Sequence, residues 1–192
     1  MGATEFSKLP HIGEALLRRE DERFLTGAGQ YVDDIVLAAQ AYAVFVRSPH
    51  AHARLRSVNI EAAQAAPGVV AVLTGADVAA AKINGLPCGW LITSTDGQPM
   101  KEPPHPILAL DTVRYVGDQV AMVVAETLQQ ARDAAELVDV DYDPLPAVVA
   151  VQDAAAGKVA GAVVHEVAPD NRCYKWAIGD KAATDAVFAN AA

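Results

Sequence analysis

An α+β fold built from short elements is predicted for this chain of 192 residues. Three observations carry the prediction. Apolar runs of strand length alternate with short alanine-rich runs in the order strand, strand, helix, strand, helix, long loop, strand, helix, strand. The helical runs are short and irregularly placed, which argues against a doubly wound nucleotide-binding sheet. Alanine dominates an apolar content of 52%, whereas aromatics are only 6%. That favours close backbone packing over a core of large rings.

Residues 1–19 read as an N-terminal arm without a periodic apolar face. Charge then concentrates in Arg18, Arg19, Glu20, Asp21, Glu22 and Arg23, and Gly27-Ala28-Gly29 suits a tight turn before extended chain. Residues 41–47 read as a strand with apolar side chains on both faces, ended by Pro49. Residues 54–60 form a second, imperfectly alternating strand, and 61–66 a short helix stopped by Pro67-Gly68. The run 69–73 has strand length, and 77–82 fits another short helix. Periodicity disappears over 83–105, which holds three glycines and four prolines. A loop of that length inside a compact domain is usually functional, a partner contact or disordered. Residues 112–115 read as a short strand, Gly117-Asp118 as a turn, and 119–125 as a strongly buried strand. Thr127 is a good N-cap for a helix over 128–137, with Ala131, Ala134, Ala135 and Val138 at i, i+3, i+4, i+7 spacing. Extended chain follows to Asp143, broken by Pro144 and Pro146. Residues 151–192, punctuated by glycine, read as a linker.

Composition excludes several classes. There are 24 acidic against 15 basic residues, a formal charge of −9, so a nucleic-acid or anionic-membrane binder is not expected. The amino terminus lacks a basic start followed by an apolar run, so no signal peptide is expected, and no run approaches the length of a membrane span. Cys88 and Cys173 lie far apart with no CxxC spacing, which suits a reducing, cytoplasmic location.

Candidate chemistry is sparse. His50 and His52 form a His-x-His pair, but no further ligand completes a metal set by spacing, and His11, His105 and His165 are isolated. The favoured reading is that Arg47, His50 and Arg54 fix a turn or an interface. Asp139, Asp141 and Asp143 share one face of a strand whose other face carries Val138, Val140 and Tyr142, the pattern of a half-buried strand. No GxGxxG, GxxxxGK[ST] or GxSxG motif occurs. Neither cysteine sits in a context that would make it reactive. No catalytic, cofactor-binding or metal residue is expected in this chain.

Five blocks do carry a resemblance: RREDERFLTGAGQYVDDI from Arg18, AVFVRSPHAHARLRSVNI from Ala43, PGVVAVLTGAD from Pro67, HPILALDTVRYVGDQVAMVVAET from His105 and ARDAAELVDVDYDPLPAVV from Ala131. In this order they resemble the start of the molybdopterin-binding large subunit of the molybdenum hydroxylases. That family includes xanthine dehydrogenase, aldehyde oxidase and aerobic carbon monoxide dehydrogenase, and the last branch is the most similar. The resemblance implies an α/β hammerhead domain over residues 20–150, with a mixed sheet and short helices. Residues 151–192 would lead toward molybdopterin-binding domains that are missing here. In the parent enzyme, a carbon centre is hydroxylated, or CO oxidised, with oxygen taken from water. Electrons pass from a molybdopterin cytosine dinucleotide centre through [2Fe–2S] clusters to FAD on partner subunits. The implied partners are the remaining large-subunit domains, the iron–sulfur subunit and the FAD subunit. No position here matches the family's catalytic base or its cofactor loops, so a scaffold and interface role is expected, with no activity in isolation. The competing class is a stand-alone binding or regulatory protein derived from the same domain.

The 83–105 loop holds Leu86, Trp90, Leu91 and Ile92, too apolar for a merely solvated loop. A large aromatic on a loop is a common interface anchor, so Trp90 is expected to face a partner or line a substrate funnel. The alternative is that Trp90 caps the domain's own core.

Overall fold

The structure is a computed structural model and describes residue 13 and residues 18–191. The predicted arm, residues 1–19, lies outside the described residues apart from 13, 18 and 19. The chain divides into two compact units, Met1–Gln40 and Ala41–Ala192.

In the first unit the charged run ends in a short helix, α1 (Asp21–Leu25), with Asp21 and Glu22 in its first turn and Arg23 in its last. Acids at the start and a base at the end suit the helix dipole. Where extended chain is expected, Val32–Asp34 forms one 3₁₀ turn, closed by Tyr31 N donating to Asp34 Oδ2 at 2.9 Å. The Phe24 and Tyr31 rings stack with centroids 5.6 Å apart.

The second unit contains β1 (Tyr42–Arg47), β2 (Ala53–Asn59), α2 (Glu61–Gln64), β3 (Val69–Thr74), α3 (Gly75–Ala80), β4 (Thr112–Val113), β5 (Gln119–Ala125), α4 (Leu128–Ala135), β6 (Asp139–Pro144), α5 (Val151–Ala156) and α6 (Lys181–Ala189). The strands form two three-stranded sheets, ordered β1-β5-β3 and β4-β2-β6. Every pairing is antiparallel. Central β5 is buried on both faces, with Val120, Ala121, Val123 and Ala125 fully covered, which is why it reads as a continuous apolar run.

Two apolar clusters fill the unit. Ala63, Val72, Ala121, Val123, Ala134 and Val138 form the first, between helices and the β1-β5-β3 sheet. Ala53, Ala109, Val113 and Val120 form the second. Val58 and Val140 pack against both, so the cores are continuous. Alanine at the contact points lets helix and sheet backbones approach closely, as the composition implies.

Helix ends depart from expectation for local reasons. Helix α3 begins two residues before the predicted start. Thr74 caps it, its N–H and hydroxyl both donating to Asp77 Oδ2 at 2.7 Å. These bonds hold the Asp77 carboxyl below its ordinary range. Gly75 is buried, and a Cβ there would lie 2.2 Å from the Ala109 carbonyl oxygen, so glycine permits the helix to start against that loop. Helix α4 is capped by Thr127, whose Oγ1 accepts from Gln130 N at 3.2 Å. It stops at Ala135 because the chain tightens, with Leu137 N bonding to Ala134 O at 3.1 Å. The segment read as a linker carries α5 and α6. Neither buries a residue, which explains the missing periodicity.

Ala134 is fully covered where α4 meets the first sheet. Ala134→Leu is expected to lower stability by about 1–3 kcal/mol through overpacking, read as a fall in the urea midpoint at unchanged slope. The same substitution at exposed Asp133 should change it by less than about 0.5 kcal/mol.

Candidate functional site

The RSPHAHAR and VRYVGDQVA blocks meet in space. Residues 48–52 carry the chain from β1 in the first sheet to β2 in the second. Residues 114–118 carry it from β4 in the second to β5 in the first. The two crossings are bonded to each other. Ser48 N donates to Asp118 O at 2.9 Å, and Gly117 N donates to Ser48 O at 2.8 Å. The second crossing is a tight turn, with Asp118 N donating to Tyr115 O at 3.2 Å and Gly117 at φ +91°. Glycine suits this third turn position, where φ is positive. Asp118 is buried and its Oδ2 accepts from Arg114 N at 2.9 Å. Ser48 is buried too, and its hydroxyl accepts from His50 N and donates to His50 O, each at 3.0 Å.

The expected site residues distribute around this junction. Arg47 Nη1 donates to Gly117 O at 2.9 Å, and its guanidinium lies 5.7 Å from the Phe45 ring centroid. The His50 ring lies 4.8 Å from that of Tyr142 on β6. Burial pushes the Tyr142 hydroxyl up in pKa. His52 is buried and its Nδ1 bonds to Pro146 O at 2.8 Å, while Leu145 N donates to His52 O at 2.9 Å. A carbonyl partner requires the proton on Nδ1. The adjacent histidines thus have separate structural partners. Arg54 is exposed on β2, in register with Thr112 and Asp143. Asp143 pairs instead with Arg56 at 3.2 Å. Asp139 and Asp141 are exposed while Val140 and Tyr142 face the core, a half-buried strand. Among the described residues, no three of His, Cys, Asp and Glu converge to hold a metal ion.

The 83–105 segment is closed at its neck. Leu86 N donates to His105 O at 2.9 Å, and a Cβ on Gly85 would sit 2.2 Å from that same oxygen. Within it, Thr93 and Pro99 pair as a β-bridge, and Met100 N donates to Ile92 O at 2.9 Å. The loop is also bonded to the tail. Thr95 N donates to Lys175 O at 2.8 Å, and Lys101 N to Cys173 O at 2.9 Å. Lys101 Nζ reaches Asp170 at 2.6 Å, and that hydrogen bond holds the Asp170 carboxyl below its usual range. Trp90 is 71% exposed and its ring lies edge-on to that of Trp176, centroids 6.2 Å apart. Trp176 was not among the candidates from sequence. As the one tryptophan of an alanine- and valine-rich tail, it is a large ring among small side chains, and that is the signal that marks it. Cys88 and Cys173 are both free thiols.

A cavity of about 800 Å³ lies among residues 103–106, 114–118 and 148–174, with His105, Arg114, Tyr115, His165 and Tyr174 in its wall. Arg114, Tyr115 and Asp118 of the VRYVGDQVA block line it, and its other wall residues come from separate segments. Arg114 is fixed by Nε donating to Val164 O at 3.2 Å and Nη1 to Thr112 O at 3.1 Å. Burial and the nearby Asp118 charge raise the pKa of Tyr115, whose hydroxyl donates to Gln119 Oε1 at 3.2 Å. Burial, then Arg114, lower the pKa of His165, whose Nδ1 accepts from Val167 N at 3.3 Å. Neutral His165 is therefore the form the fold favours. Its contribution to stability is complete above the ordinary value of 6.5 and is lost as pH falls below it. Amide exchange at Val167 is expected to accelerate, relative to its intrinsic rate, as pH falls from 7 to about 5. His165→Gln should flatten that dependence.

Residues 26–146 match the family model described as aldehyde oxidase and xanthine dehydrogenase, a/b hammerhead domain. The chain is 38% identical to the carbon monoxide dehydrogenase large chain of Afipia carboxidovorans, over 98% of this chain and 23% of that one. It is 38% identical to the nicotine 6-hydroxylase large subunit of Paenarthrobacter nicotinovorans, over 83% of this chain and 18% of the relative. Among solved structures, reconstituted CO dehydrogenase from Oligotropha carboxidovorans superposes with a TM-score of 0.71 at 36% identity, covering 98% of this chain and 23% of that chain. Quinoline 2-oxidoreductase from Pseudomonas putida 86 gives 0.65 at 42% identity, covering 78% and 18%. The chain thus spans about a quarter or less of the length of these relatives. It belongs to the aldehyde oxidase and xanthine dehydrogenase family of molybdenum hydroxylases, and the part of that family it carries is the hammerhead domain.

Proposed function

We propose that this chain serves as the hammerhead portion of a molybdenum-dependent oxidoreductase, as scaffold and interface rather than as the reaction centre. The observation that supports this reading most is the match of 98% of this chain to only 23% of a carbon monoxide dehydrogenase large chain. The parent reaction would be hydroxylation of an aldehyde, an N-heterocycle or a similar carbon centre, or CO oxidation, with water as the oxygen source. Molybdopterin cytosine dinucleotide would reside in the rest of the large chain, with [2Fe–2S] clusters and FAD on partner subunits. Chemistry of that kind belongs to the cofactor, and protein supplies binding and orientation.

Among the described residues no three metal-ligating side chains converge, and the sequence has no GxGxxG or GxxxxGK[ST] motif, which supports a role away from the cofactor. Their contribution is mechanical. The junction of Arg47, Ser48, His50 and Asp118 holds the two sheets together, and exposed Arg54 and Trp90 are proposed interface positions. Residues 20–150 would form the domain, 1–19 an arm, and 151–192 the passage toward the cofactor domains. Two free cysteines agree with a reducing, cytoplasmic compartment.

The test is a hybrid large chain. This chain replaces the matched stretch in the Afipia carboxidovorans carbon monoxide dehydrogenase large chain, expressed with the rest of that enzyme. The hybrid is expected to carry stoichiometric molybdenum by elemental analysis, whereas the 192-residue chain, from the same cofactor-competent host, carries none. A folded hybrid without molybdenum, or stoichiometric molybdenum on the isolated chain, contradicts the reading.

A further inference from the structure

The cavity beside the 114–118 crossing has two kinds of wall. One is apolar. Val151, Ala154 and Ala155 of α5 line it, with Val148 from the segment before that helix and Pro103 and Pro106 from the loop neck. Rings extend this wall. Tyr115 and His105 stand edge-on with centroids 6.2 Å apart, and Tyr174 lines the same space. At about 800 Å³ the space has the size of a small-molecule pocket.

The other wall is cationic. Half-buried Arg114 and exposed Arg172 both line the cavity, and among the described residues neither pairs with a carboxylate. Their side-chain bonds go to backbone carbonyls instead, Arg114 to Val164 O and Thr112 O, and Arg172 to Ala155 O. These bonds fix each guanidinium and leave Arg114 Nη2 without a protein partner among the described residues. Asp118 is the one carboxylate in the wall, and its Oδ2 already accepts from Arg114 N. His165 adds a neutral donor, because its Nδ1 accepts from Val167 N and its ring proton therefore sits on Nε2. With the histidines neutral, the wall carries one net positive charge in a chain of formal charge −9. Two arginines kept from the protein's own carboxylates, in a largely apolar hollow, are available to an anion from outside.

We propose that this cavity is a binding site for a small aromatic carboxylate, with Arg114 as the main partner of the carboxylate, Arg172 as the second cation, and the ring among Tyr115, Tyr174 and the α5 side chains. A planar carboxylate matches the guanidinium fork. A monoanion matches the single net charge, whereas a phosphate ester brings nearly two. The apolar wall calls for a ring rather than a bare ion. Because Arg114 is already held at Nε and Nη1, it loses little freedom on binding. The inference does not rest on the proposed function.

The test is amide NMR of the 192-residue chain titrated with 2-naphthoate. Saturable shifts are expected at Tyr115, Val164 and Asn171, with a dissociation constant of about 1 mM or tighter. Neutral 2-naphthamide is expected to bind about tenfold more weakly, and Arg114→Gln and Arg172→Gln each to weaken naphthoate to a similar degree. Resonances of β5 serve as the check on folding; if Arg114→Gln disturbs them, Arg172→Gln decides. Absence of saturable shifts, or shifts confined to residues outside the cavity wall, overturns the proposal. So does equal binding of the amide, which makes the cavity an apolar hollow without anion preference. Unchanged naphthoate affinity in the folded variants overturns it as well.

Discussion

The bonds between Ser48 and the Gly117-Asp118 turn are the constraint on which the rest of the second unit depends. Each sheet is small, three strands, and a three-stranded sheet holds little apolar surface of its own. The chain passes between the sheets twice, at 48–52 and at 114–118, and these passages lie side by side with reciprocal backbone bonds. Buried Ser48 and Asp118 leave no loose polar ends there. Ser48 closes a local loop with His50, and Asp118 accepts from Arg114. Arg47 adds a side-chain bond to the Gly117 carbonyl. With the crossings locked, Val58 and Val140 reach both apolar clusters, and the two half-cores become one.

This junction also explains why two stretches so far apart in sequence carry the family's most specific motifs. RSPHAHAR supplies one crossing and VRYVGDQVA the other. Their residue types answer to each other: a serine small enough to bury, a glycine for positive φ, and an aspartate to satisfy a backbone donor. The His-x-His pair, chemically the most suggestive feature of the sequence, divides between a ring contact with Tyr142 and a carbonyl bond at Pro146.

Much of the fold was legible because the periodic signal was local. Strand β5 appears with its bounds intact, since a short, nearly continuous apolar run with buried residues on both faces has the length of a strand. Thr127 caps α4 as its residue type implies. What was not legible was set by distant contacts. The start of α3 depends on Gly75 meeting the Ala109 carbonyl, and the sequence near residue 75 contains no trace of residue 109. Helices α5 and α6 bury nothing and so carry no apolar stripe. Strand pairing was equally hidden, because alternation reports burial and not direction. Of the surface, Trp90 was visible as an apolar residue in a glycine- and proline-rich loop. Its contact with Trp176 was not, because it depends on the tail returning to the loop.

The coupling of the two sheets is tested most directly by native-state hydrogen exchange in Gly117→Ala. Gly117 has φ +91° and open space around its Cβ position, so the substitution strains the turn without a clash. Amides of β5 in the first sheet and β2 in the second are expected to lose protection together, by about 1 kcal/mol each. Loss confined to one sheet, with the other unchanged, would show that the sheets are held by something other than this junction.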